Sequence, residues 1–542
     1  MNTLKRTYII VALCLIGAGI IYLSLPLGNN LSKEKTESGS EESASGKGEE
    51  IISWQNIEGP VVKRITATHI ETNDGSQPLA KNCTWVDEKG TSLEGRGRFL
   101  GQMVQMETNE TGAVTKVMLL HNTETPQHIR VVIEDEEGDY VHSEVSISSE
   151  GGFWCWWDGK IKTYAPGTEV KIEGIERRAI FYPAQANSTL NLITPGRTVN
   201  YYGQLEAAVE AGGYSIVNEV NLELYLMGVV PSEMPGNYGV EAAKVQAVCA
   251  RSYAYGQWAA SEKYLAYGAH VDNGISSQVY GGAAANDNSS KGVEATWGEV
   301  LTYEGKVVSV NYFSTSCGYT AGSNEVWGDE SGETAPYLAG KAQYTEGNYG
   351  DLSDEEAFYR FITDATVQSY DNHSPWFRWE TEISWDTLIE QTSNFFTEGK
   401  LAKVVEGDAL KEETVTDIGT LQDIYVYERT SGGMVRSLLL IGSDKTVILE
   451  KPTVVRQFLG GSNIWLQNGE NAGSRNLLPS AFISIEKIID TEENLMSIHI
   501  YGGGYGHGVG MSQNGVKGMV DRGYAYPEIL AHYYPGTALT VF

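Results

Sequence analysis

Residues 218–235 read NEVNLELYLMGVVPSEMP, and residues 240–261 read VEAAKVQAVCARSYAYGQWAAS. In the first stretch Leu222, Tyr225, Leu226 and Val229 recur at the spacing of one helix face. Pro231 is expected to stop that helix, because it has no amide hydrogen to donate and its ring crowds the carbonyl one turn back. In the second stretch Ala243, Ala247, Ala250 and Ala254 line one side of a long helix, a stripe small enough for a neighbour to pack closely. Glu233 sits at the seam, framed by Pro231 and Pro235, which restrict the backbone around it. A rigid, partly dehydrated carboxyl can hold its proton near neutrality, as a general acid must. The N-terminus of the following helix pulls the other way by favouring the carboxylate. On these residues alone Glu233 reads first as a cap or a surface acid, the usual fate of a lone Glu.

Working outward, strand-like segments follow at 298–303 (GEVLTY) and 307–314 (VVSVNYFS), then a capped helix at 353–361 (SDEEAFYRF). A Trp-rich strand and helix occupy 376–391, and further strands lie at 424–428, 435–442 and 445–450. The chain closes with an alternating strand at 495–502 (LMSIHIYG), a glycine-rich turn, and helices over 509–520 and 527–534. This mixture predicts an α+β region. Upstream the texture is β-type: VKRITATHIE (62–71), TKVMLLH (115–121) and HIRVVIE (128–134) are separated by turn-rich segments. Residues 51–143 are therefore expected to form a β-rich domain of unassigned role, with more strand-like runs between 144 and 173.

At 542 residues the chain is too long for one ordinary core. Its formal net charge of -31 repels phosphate backbones, so nucleic acid is not an expected partner. Sugars need no such steering, and 31 Tyr and 12 Trp are compatible with binding them. Tyr8 to Leu27 is a nearly unbroken apolar run preceded by Lys5 and Arg6, long enough to cross a bilayer with the basic end inside. Residues 1–27 are thus expected to be an uncleaved anchor, since the run is long for a cleaved signal and no small-x-small site follows. A lipoprotein reading of Cys14 is disfavoured by Leu13 before it. Residues 28–50 have almost no apolar side chains and are expected to be a solvated tether. The body would then be extracytoplasmic on a single-pass membrane anchor.

Outside the apolar run the cysteines are Cys83, Cys155, Cys249 and Cys317, which is no disulfide scaffold. There is no CxxC pair and no HExxH among nine histidines, which disfavours a zinc-dependent amidase.

The second constellation, YGGGYGHGVGMSQNG (501–515), superficially resembles a dinucleotide loop, but the chain ends without the βαβ unit that reading requires. Glycines this dense let the backbone approach something bulky, while His507, Ser512 and Gln513 offer donors and acceptors suited to a sugar. A tight solvent-facing turn whose His507 only bonds to backbone fits the same residues. The loops FSTSCGYT (313–320) and SSQVYGG (276–282) are rich in hydroxyls, yet neither contains GxSxG, and no His/Asp pair is marked for a serine nucleophile.

NEVNLELYLMGVVPSEMP, EAAKVQAVCARSYAY, SSQVYGG, ATWGEVLTYEGKVVSVNYFSTSCGYT, EVWG, PYL, GYGHGVGMSQNGVKGM and YPEILAHYYPGT occur in one order. That order and wording closely resembles the stage II sporulation protein D (SpoIID) / LytB family, from about Glu144 to Phe542. The resemblance implies a catalytic region over 144–542 acting as a peptidoglycan lytic transglycosylase in sporulation or other wall remodelling, on glycan strands typically stripped of stem peptides. It places the catalytic acid at Glu233, a single carboxyl where ordinary glycosidases use two. It further implies that Lys244, Gln246, Arg251, Tyr319, His507, Ser512 and Gln513 line the groove.

Some family members carry a His-Cys pair before QVY as part of a zinc site. Here Ser276 and Ser277 stand there, leaving Cys317 and the upstream His270, so neither metal nor cofactor is expected. The resemblance also brings the Cys317 loop toward the Cys249 helix, which allows either a disulfide or two separate thiols. If water rather than the sugar's own hydroxyl were the nucleophile, Asp272 or Asp329 would be the second acid to examine. The LytB side of the family implies a runner-up, a wall-bound regulator that stimulates a partner amidase.

Overall fold

The computed structural model describes residues 60–121, 125–185, 188–328 and 335–542. The anchor and tether expected before Ile51, and Asp329, lie outside the described residues. Among the described residues no helix is long and apolar enough to cross a membrane.

Two compact units account for the α+β body. The chain leaves the first at Glu233, returns at Ala254 and leaves again at Asn286. In the first unit a five-stranded sheet orders Val62–Ile65, His69–Thr72, Gly75–Val86, Val114–Leu119 and Val104–Thr108. Its core is Val62, Ile65, Ile70, Phe99, Val104, Val114 and Val117, most of them contributed by the alternating runs that make a half-buried strand legible. A seven-stranded sheet follows, in which His128–Val132 pairs antiparallel with Gly213–Asn221 and parallel with Val271–Asp272. The expected boundary at 143/144 falls inside this unit, whose large sheet takes strands from both sides of it.

That sheet encloses buried charge. Arg130 donates to Glu206 at 3.0 Å and ion-pairs with Glu219, while Arg178 ion-pairs with Glu206 and with Glu71 at 3.1 Å. Burial pushes the Glu206 carboxyl up, but Arg130, Arg178 and Lys63 together pull it down to about 2. Removing any one partner would leave an uncompensated buried ion.

The helix Leu222–Glu233 does not stop at Pro231; it contains it. The hydroxyl of Ser232 donates to Gly228 O at 2.8 Å, whereas the carbonyl that Pro231 leaves without its helical donor is that of Met227, one residue earlier. Gly228 cannot be replaced cheaply, because a Cβ there would lie 2.0 Å from Gly282 O and 2.6 Å from the Tyr280 ring.

In the second unit residues 240–253 of the long helix Val240–Ala260 supply Ala242, Val245, Val248 and Cys249 to a core shared with Met511, Val516, Ile529 and Tyr534. The alanine stripe is buried, and Gly292 of the helix Asp287–Ala295 packs so close that an added Cβ would lie 2.6 Å from Ala243 Cβ. Two five-stranded antiparallel sheets form a second core with the helices Trp385–Thr397 and Pro452–Phe458. The short parallel pair Tyr312–Phe313 with Met511–Ser512 joins the two motif-bearing loops. The helix expected over 509–520 starts later, at Gln513, because Met511 and Ser512 are in this pair.

Candidate active site

Glu233 is half-buried at the last position of its helix, followed by the turn Gly236–Tyr238 and then the long helix. Gln513 Nε2 reaches Glu233 Oε2 at 3.3 Å and Gln246 Oε1 at 3.4 Å, so three side chains far apart in sequence meet. Both contacts are long for a hydrogen bond and leave the amide shared between its two acceptors. Gln246 is fully buried, and its Nε2 has no hydrogen-bond partner among the described residues. A buried polar group left short of partners is uncommon in folded proteins.

The backbone after Glu233 is held from two directions. Tyr238 donates its hydroxyl to Asn514 Oδ1 at 2.7 Å, and Asn288 donates to Gly236 O at 2.9 Å. Asn514 in turn donates to Ser314 O at 3.1 Å and Thr315 Oγ1 at 2.9 Å, tying the FSTSC loop to the helix Gln513–Asp521.

Ser512 is fully buried rather than presented to solvent. It caps the helix Gln513–Asp521 by accepting from Gly515 N at 3.2 Å, and its hydroxyl donates to Asp371. His507 is half-buried, with its ring centroid 5.7 Å from that of Phe313 and 5.2 Å from that of Trp327. Its Nδ1 accepts from Val509 N at 3.1 Å, and the ring also bonds to the Tyr312 backbone. Burial pushes the His507 pKa down to about 4, so the imidazole is neutral at pH 7.

Arg251 is buried and donates to Glu299 O at 2.9 Å. Lys244 pairs with Glu241 at 2.6 Å and lies 5.2 Å over the Tyr526 ring. Tyr319 is half-buried and packs against Gly432, where an added Cβ would lie 2.5 Å from the ring. Of the eight residues singled out in the sequence, Glu233, Gln246 and Gln513 form the constellation and Ser512 stands behind it. Lys244, Arg251, Tyr319 and His507 make the separate contacts just described.

Cys249 and Cys317 are free and separately buried. The Cys249 thiol lies 3.7 Å from both Met511 Sδ and Tyr534 Oη, the Cys317 thiol donates to Tyr319 O at 3.9 Å, and burial pushes both pKa values up to about 12. His270 accepts from Arg130 N at 3.0 Å and bonds to Gly97 O at 3.1 Å, so both ring nitrogens are taken by backbone. Among the described residues the carboxylates of Asp135, Glu137 and Asp139 are close enough to share a cation, but Asp135 Oδ1 already accepts Glu137 N and Asp139 N. Asp272, in the first unit, is fully buried and accepts from Tyr140 at 2.9 Å and Tyr264 at 2.7 Å.

Sequence reading missed Asp371, which accepts the Ser316 amide at 2.9 Å and hydroxyl at 2.7 Å besides the Ser512 hydroxyl. No motif marks it; its neighbours, SYDNHS (369–374), read as an ordinary loop.

Comparison with known proteins matches residues 210–303 to the family "Stage II sporulation protein" and residues 321–510 to a domain of unknown function, DUF8618. The chain is 29% identical over 331 residues to the amidase enhancer of Bacillus subtilis (strain 168), covering 58% of this chain but only 40% of that protein. It is 26% identical over 337 residues to stage II sporulation protein D of Bacillus amyloliquefaciens, covering 60% of this chain and 75% of the relative. An uncharacterized protein of Brachyspira hyodysenteriae is 27% identical over 372 residues, with 68% and 78% covered. Glu233 and Gln246 fall in the first matched segment, Asp371 in the second, and Gln513 beyond both. With a SpoIID segment around its candidate acid and relatives that include both stage II sporulation protein D and an amidase enhancer, the comparisons support assigning this chain to the SpoIID/LytB family.

Proposed function

We propose that this protein is a peptidoglycan lytic transglycosylase, held at the outer face of the cell membrane by the apolar run Tyr8 to Leu27 and acting in sporulation or related wall remodelling. The observation that carries this reading is the half-buried Glu233 met by the Gln513 amide, itself shared with the buried Gln246. Glu233 would donate its proton to the glycosidic oxygen as the bond from that oxygen to the muramic anomeric carbon breaks. The C6 oxygen of the same sugar closes on the anomeric carbon and returns its proton to Glu233, so no water is consumed and a 1,6-anhydro end forms. One carboxyl serves both steps, whereas hydrolysis would need a second to activate water. The experiment is a digest of denuded and of peptide-bearing glycan with the purified protein, the released ends being identified by mass spectrometry. Anhydromuramic ends support the reading; intact glycan overturns it.

The amidase enhancer among the relatives favours a second reading, a wall-bound protein that stimulates an amidase. Stimulation of a partner amidase with no new glycan ends would select it. The topology is tested separately: protease added to intact protoplasts should remove the body, and survival until lysis would contradict it.

A further inference from the structure

Asp371 is a fully buried carboxyl in the loop 369–374, whose companion Ser374 bonds to Thr315 Oγ1 at 3.2 Å. Its Oδ1 accepts Ser316 N at 2.9 Å and the Ser512 hydroxyl, and its Oδ2 accepts the Ser316 hydroxyl at 2.7 Å. Ser512 Oγ also lies 3.2 Å from Ser316 N and 3.2 Å from Gly515 N. One carboxyl therefore fastens the FSTSC loop to the residue that starts the helix Gln513–Asp521. Gln513, the first residue of that helix, carries the amide that meets Glu233. Burial pushes the Asp371 carboxyl up, while the bonds from Ser512 and Ser316 oppose that rise.

We propose that Asp371 is a positioning residue, which fixes Ser512 and the start of its helix so that the Gln513 amide is held against Glu233. It gives part of the DUF8618 segment a role: bracing the acid supplied by the SpoIID segment. The proposal rests on the lytic reading for its catalytic consequence but not for its geometry. The Gln513 amide contacts are already at the long end of hydrogen-bond range, so a further displacement of about 1 Å at Ser512 would move Gln513 out of reach and cost on the order of 100-fold in rate.

The test uses the full chain with Asp371→Asn, which keeps the shape but turns one acceptor into a donor facing the Ser316 and Ser512 donors. The expected result is a 10- to 100-fold fall in kcat with KM within about twofold. In a Gln513→Ala background the same change should add almost nothing, because the group it positions is gone. Two independent losses that multiply would overturn the proposal. Selective 15N labelling of glutamine supplies a readout without activity: the Gln513 side-chain amide signals should shift in Asp371→Asn, and unchanged signals would also overturn it. If Asp371→Asn fails to fold, Ser512→Ala breaks the same link with no buried charge altered, and the same two results are expected. Should the wild type cut no glycan, the lytic reading fails while the amide signals still decide the positioning role.

Discussion

The side-chain amide of Gln513 stands between two acceptors, 3.3 Å from Glu233 Oε2 and 3.4 Å from Gln246 Oε1. The acid is therefore oriented by a neutral group that is itself oriented by a buried neutral group. Gln513→Ala should slow glycan cleavage about 10- to 100-fold, the range for losing one hydrogen bond to a charged partner. Gln246→Leu removes the second acceptor and should produce a smaller loss in the same direction. Steady-state kinetics on denuded glycan reads both, and unchanged rates would remove the amides from the mechanism.

Gly515 leaves no room for a side chain. An added Cβ would lie 2.0 Å from Tyr533 Oη and 2.9 Å from Asp371 Oδ2. Gly515→Ala should destabilise by about 1–3 kcal/mol, the usual range for overpacking a core. The Tyr533 hydroxyl is buried without a hydrogen-bond partner among the described residues. Tyr533→Phe should therefore be neutral or stabilising alone, and should recover part of the Gly515→Ala loss in the double variant. Urea midpoints measure all three, and strictly additive values would contradict the crowding.

Stability should fall on mild acidification because of buried histidines, His270 among them together with His507 and His532. Burial pushes the His270 pKa down to about 4, from 6.5 when unfolded, so between those values the unfolded chain binds more protons than the folded one. The neutral form's contribution is complete above pH 6.5 and is lost as pH falls toward 4, about 2 kcal/mol of it by pH 5. Glu206 acts in a separate, lower window, since its carboxyl at about 2 gives up stability only below the unfolded value of 4.5. Melting temperatures from pH 7 to 5 should fall in the wild type and fall less in His270→Gln. Equal slopes would assign the effect elsewhere.

The helices at 222–233 and 240–260 were legible because their apolar and alanine positions keep a helical period, and the strands of the second unit because theirs alternate. Pro231 misled, since the helix runs through it and ends two residues later, at Glu233. Ser512 and His507 have the chemistry to bind a sugar; the backbone bonds of His507 are one of two readings of its turn, while nothing in the spacing discloses that Ser512 is buried against Asp371. Residue type reports what a side chain can do; its burial is decided by distant segments. For the same reason the contact between Glu233 and Gln513, 280 positions apart, could enter only through resemblance. Asp371 belongs to no period and no motif, and only the three donors around it give it away.

The most direct test of Glu233 as the acid is the product spectrum of Glu233→Gln beside that of the wild type. The substitution keeps the side chain's shape and its contact with Gln513 but removes the transferable proton. The wild type should release anhydromuramic ends, and the variant should still bind glycan while cutting it at least about 100- to 10,000-fold more slowly. Reducing muramic ends from the wild type, or undiminished cutting by the variant, would contradict Glu233 as the single carboxyl that closes the sugar on itself.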